Sequence, residues 1–84
     1  MSIAYLHSVL IYLRQELPGN YREQINLTGE KLLIRIPNEL NFSTEYETLH
    51  QAVESCIQRV RNRHMDLEFT IRSDNQERDF KILK

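Results

Sequence analysis

Two amphipathic segments, residues 3–17 and 45–63, are each followed by two short stretches in which apolar and polar residues alternate. Helix, strand, strand, then the same again is the order this patterning predicts. It restricts the chain to α+β architectures, in which helices gather on one side of a sheet and share one core with it.

In the first segment Ile3, Leu6, Leu10, Leu13 and Leu17 recur at the three- and four-residue spacing of one helical face. Pro18, Gly19 and Asn20 then end the helix, because proline disfavours helical geometry in the residue before it. Tyr5, Val9 and Tyr12 form a second stripe beside the first. It reads either as a wide buried face with phenols reaching water or as a surface for a partner. In the second segment Thr44 and Glu47 form a T-x-x-E capping box, with Ser43 as a competing cap. Tyr46, Leu49, Val53, Cys56, Ile57 and Val60 make its apolar face. Glu45, Glu47 and Glu54 lie early and Arg59, Arg61 and Arg63 lie late, which complements the helix dipole.

The strands carry their own pairing information. Gly29-Glu30 suits a two-residue turn with glycine first, the type II′ preference. That register sets Leu27 opposite Leu32 and Ile25 opposite Ile34. A four-residue loop at Ser73–Gln76 sets Phe69 opposite Phe80 and Leu67 opposite Ile82. It also brings Glu68 to Lys81 and Arg72 to Glu77, opposite charges on the polar side of the hairpin.

The expected fold is one α+β domain over residues 1–84, a two-layer αββαββ sandwich whose halves are about 1–42 and 43–84. A four-stranded antiparallel sheet in the order 3-4-2-1, with both helices on one face, satisfies both hairpins. That plan is a circular permutation of the ferredoxin-like βαββαβ arrangement.

Function is less legible. The formal net charge of −1 argues against a dedicated nucleic-acid binder, which carries a basic excess. Cys56 is the only cysteine, so no intrachain disulfide is expected and a reducing compartment is favoured. The first residues show no signal-peptide pattern and no apolar run nears the roughly 20 residues of a membrane span. The expected location is cytoplasmic, and the Asn-x-Ser/Thr triplets at Asn26 and Asn41 then carry no weight. His7, His50, His64 and Cys56 have no metal-ligand spacing, and two glycines leave no phosphate cradle. No cofactor and no catalytic activity are expected.

What remains is surface. Eight arginines stand against three lysines, and Arg59, Arg61 and Arg63 crowd one helix end. Arginine offers bidentate hydrogen bonding to carboxylate or phosphate. On the outward sheet face the expected strand order brings Leu33 and Leu83 together inside a polar rim that includes Arg35, the pattern of a small interface. These six residues are the candidate partner-binding set. They point to a non-enzymatic protein-binding or adaptor module, self-association as a homodimer included. The alternative is a nucleic-acid accessory protein that sets the arginine cluster on phosphates.

Overall fold

The computed structural model describes residues 2–17, 19–61 and 63–84. In chain order the elements are α1 (Ser2–Glu16), a single 3-10 turn (Gly19–Tyr21), β1 (Ile25–Thr28), β2 (Lys31–Arg35), α2 (Phe42–Gln58), β3 (Leu67–Arg72) and β4 (Glu77–Ile82). The α+β character and the αββαββ order are as expected from the patterning. Both helices and the inward residues of the strands contribute to a single core.

Within each hairpin the register is the expected one. Ile25 lies opposite Ile34 and Leu27 opposite Leu32, while Leu67 lies opposite Ile82 and Phe69 opposite Phe80. Gly29 takes φ +61° and Glu30 keeps a negative φ, as a turn with glycine first requires.

The way the hairpins join differs. The sheet order is β1-β2-β3-β4, and β2 runs parallel to β3, with Leu32 beside Phe69 and Ile34 beside Ile71. The all-antiparallel order 3-4-2-1 is therefore wrong, and the sheet is mixed rather than a permuted ferredoxin-like one. The reason lies in the strands' lateral environments. β3 buries Leu67, Phe69, Thr70 and Ile71, whereas β4 buries only Ile82 fully. Charges on Glu77, Arg78, Asp79 and Lys81 suit an edge that meets water, not a central position. α2 supplies the long crossover that neighbouring parallel strands need.

Both helices deviate from expectation at their ends. In α1 the buried face is Leu6, Val9, Leu10 and Leu13, continued by Leu17, while Ile3 is exposed. Pro18, expected to stop this helix, lies outside the described residues. α2 begins three residues before Glu45. Its N-cap is Asn41, whose side chain accepts a hydrogen bond from the Thr44 backbone N–H at 3.0 Å, so the Thr44/Glu47 box does not form. The earlier start brings Phe42 into the core. Asn41→Ala is expected to cost about 1 kcal/mol in urea denaturation, the usual value of a lost N-cap, while Thr44→Ala costs less than half of that. Equal losses at both positions would place the cap back at Thr44.

Candidate functional site

The six expected contact residues fall into two separate regions. On the open sheet face, the registers align Asn26, Leu33, Thr70 and Asp79 across the four strands. Leu33 is half-buried there. Leu83 follows the end of β4 and is 66% exposed, with β3 between it and β2. The leucine pair is therefore not formed, because it depended on β2 lying beside β4.

The charges of this face are largely engaged with one another. Arg72 pairs with Glu77 at 2.9 Å, Lys31 with Asp79 at 3.9 Å and Arg35 with Asp74 at 3.1 Å. Thr70 is only 6% exposed and its hydroxyl donates to Asp79 at 2.7 Å. Exposed pairs of this kind add little stability. They do leave the face with few cations free to meet a ligand.

The arginine-rich segment is arranged differently from a basic last turn. α2 stops at Gln58, so Arg59 is the C-cap and Arg61 and Arg63 lie beyond the helix. Arg63 reaches back, and its Nη1 donates to the Ile57 carbonyl at 3.4 Å. A helix end leaves carbonyls without partners, and Arg63 satisfies one from outside. Arg59 bridges to Glu16 at the end of α1, 3.6 Å away, and also touches the Cys56 sulfur. Arg61 is exposed and makes no ion pair among the described residues.

Between α1 and this segment runs a groove of about 230 Å³ lined by Tyr5, Ser8, Val9, Tyr12 and Val60. The tyrosine stripe of α1 forms one wall and Val60 the other. Two of the polar groups along it are already satisfied from within. Tyr12 donates its phenol proton to the Cys56 carbonyl at 2.9 Å, and Ser8 bonds to the Ala4 carbonyl at 3.2 Å. Tyr5 is the exception. Its phenol oxygen is shielded from water and has no hydrogen-bond partner among the described residues, while its ring meets the edge of His64 at 4.8 Å. A buried hydroxyl without a partner costs about 1–3 kcal/mol, so such groups are rare in folded proteins. The stripe is legible in the sequence, but the place of Val60 is not, since its spacing puts it on the core face of the helix.

A second cluster carries no sequence signature beyond the four-residue spacing of Phe42, Tyr46 and His50. Tyr46 contacts Phe42, His50 and Phe80, with Arg78 over its ring at 5.1 Å. His50 lies 4.3 Å from Phe80 between ring centroids and 3.4 Å from Glu54. Burial raises the Tyr46 phenol above its ordinary range. This cluster seals the core beneath β4.

Among the described residues no three His, Cys, Asp or Glu side chains converge as metal ligands, and no helix is long and apolar enough to cross a membrane. Cys56 is buried. No protein-family model matches the chain, and neither does any curated protein or solved structure.

Proposed function

We propose that this chain is a non-enzymatic protein-binding module that takes an acidic peptide segment with one large apolar side chain into the groove between α1 and the end of α2. The observation that carries the reading is the groove's composition, an apolar trough walled by Tyr5, Val9, Tyr12 and Val60 beside an arginine-rich helix end. Charge complementarity selects the occupant. Arg59, Arg61 and Arg63 lie around Val60 in the chain, and of these Arg59 is paired to Glu16. An aliphatic or aromatic side chain would fill the trough, and acidic neighbours would meet the arginines. Apolar anchors in a pocket with charged surroundings are the usual source of affinity in small interfaces. The open sheet face, with Leu33, Arg35 and Leu83, is the weaker candidate because its charges are internally paired.

Selection from a displayed library of random peptides tests this directly. Enriched binders are expected to combine Asp or Glu with Leu, Phe or Trp. Val60→Glu is expected to weaken them by about tenfold or more, since it buries a charge in the trough. Arg61→Glu should weaken them and reduce their salt dependence, and Leu33→Ser should leave them unchanged. Binders that ignore Val60→Glu but vanish with Leu33→Ser would move the site to the sheet. Single-stranded RNA that binds with a salt slope lowered by Arg59, Arg61 and Arg63→Ala would instead favour the nucleic-acid alternative.

A further inference from the structure

The two edges of the sheet are not equivalent. β1 is four residues long, and its outward Ile25 carbonyl already accepts a hydrogen bond from the Arg14 guanidinium of α1 at 3.0 Å. β4 is six residues long and lies at the other edge.

Which backbone groups of β4 face outward follows from the ladder. Ser73 N–H donates to the Gln76 carbonyl, and Ile36 N–H donates to the Arg72 carbonyl on the opposite side of β3. Hydrogen-bonded and non-bonded pairs alternate along an antiparallel ladder. Arg78, Phe80 and Ile82 therefore bond inward to β3, and Glu77, Asp79 and Lys81 turn their N–H and C=O groups outward. Charged side chains normally deter an edge from pairing. Here their signs alternate, so the deterrent depends on register.

We infer that β4 pairs antiparallel with β4 of a second copy of this chain, centred on Phe80, to give a continuous eight-stranded sheet. Three nearby registers allow the outward groups to bond. Centred on Arg78, the pairing opposes the two arginines and sets Glu77 against Asp79 twice. Centred on Asp79, it sets Glu77 against Lys81 twice but opposes two aspartates at its centre. Centred on Phe80, it sets Asp79 against Lys81 twice, stacks Phe80 on its counterpart and opposes no like charges. Lys81 makes no ion pair among the described residues, whereas Asp79 already accepts from Thr70 at 2.7 Å and meets Lys31 at 3.9 Å, so the pairing adds a second cation to a half-exposed carboxylate. Phe80, half-buried in the monomer, would gain cover on the helix side of the sheet, where Tyr46 and His50 already pack against it. Two aromatic residues opposite one another in a non-bonded pair add to the complementarity.

Sedimentation over a concentration series tests the pairing. The unaltered chain is expected to move from monomer to dimer as concentration rises. Lys81→Glu sets two carboxylates against each other at each of the paired positions, and Asp79→Lys sets two ammonium groups there instead. Each variant alone is expected to raise the dimer dissociation constant by about tenfold or more. Mixed in equal amounts, the two variants restore both attractive pairs and should form a heterodimer near the original affinity. Circular dichroism melts of each variant check that the fold is kept. A chain that is monomeric throughout, a Lys81→Glu variant that dimerises normally, or a mixture that stays monomeric would each overturn the inference. Peptide binding by monomeric Lys81→Glu shows whether the groove reading stands independently of dimerisation.

Discussion

Phe69→Ala is expected to remove about 3–5 kcal/mol of folding stability, the usual cost of truncating a fully buried phenylalanine. Phe69 is completely inaccessible to solvent, lies on the central strand β3 and stacks on Phe80 with ring centroids 5.0 Å apart. It sits beside Leu32 across the parallel seam, so its loss opens a void among both central strands. Domains of this length are typically stable by only about 0.05–0.15 kcal/mol per residue. The truncation therefore removes a large share of the total, and a substantial unfolded fraction is expected at physiological temperature. Phe69→Leu, which keeps most of the volume, should cost much less. Leu83→Ala, at an exposed position, should change stability by no more than about 0.5 kcal/mol. Urea denaturation of the three variants gives the comparison. A Phe69→Ala loss close to that of Leu83→Ala would be incompatible with this core.

The second large effect is alkaline destabilisation through Tyr21. This residue follows α1, is 2% exposed and donates its phenol proton to Glu45 in the first turn of α2. Burial, and then the hydrogen bond and negative charge of Glu45, push the phenol well above its ordinary value of 10.0. In the unfolded chain the phenol ionises near pH 10, whereas in the folded chain it keeps its proton. The unfolded state then binds fewer protons than the folded one, so stability falls as pH rises. The contribution is fully present below about pH 10, and above it is lost at about 1.4 kcal/mol per pH unit. Tyr46, also raised mainly by burial, deepens the same decline. Tyr21→Phe is expected to cost about 1–2 kcal/mol at neutral pH, because Glu45 loses a charge-assisted hydrogen bond. It should also make the decline shallower by about one proton's worth above about pH 10. Urea midpoints measured from mildly to strongly alkaline pH separate the two effects. Parallel curves for the parent and Tyr21→Phe would show that this phenol does not govern the alkaline limit.

The sequence carried the hairpins and withheld their union. Each hairpin register follows from alternation, and the second also from opposite charges facing each other across the ladder, as with Glu68 and Lys81. Joining β2 to β4 or to β3 buries the same inward side chains, so inward patterning cannot distinguish the two orders. What separates them is lateral, in the contrast between Phe69-Thr70-Ile71 and the charged Glu77-Arg78-Asp79. The helix cap was ambiguous for a similar reason. Ser43 and Thr44 were the caps considered, but Asn41 can accept the same backbone hydrogen bond, and the burial of Phe42 decides for it. Tyr21 and Ile36 belong to the core but lie outside helices and strands of regular period, so nothing in the patterning marked them. At the candidate site the Tyr5, Val9 and Tyr12 stripe was legible, but as a wide buried face or a partner surface alike. Val9 proves to be core, while the two tyrosines are half-buried. The opposite wall of the groove was not legible, because Val60 continues a core period that the helix abandons at Gln58.

The parallel seam between β2 and β3 also bears on how the chain reaches its fold. The two hairpins close over short turns, at Gly29-Glu30 and across 73–76, events that take about 1–10 μs. The seam brings Lys31 to Glu68 and Arg35 to Arg72, across everything between the two hairpins. Closing so long a loop carries the larger entropic cost, and contacts of this sequence separation slow folding. The 17-residue α2 shortens the effective loop by drawing its intervening segment into a rod of about 25 Å. α2 thus acts as the clasp that makes the long closure feasible. Changes along Leu32, Ile34, Phe69 and Ile71 fall on the step that commits the chain to its topology and are expected to slow folding.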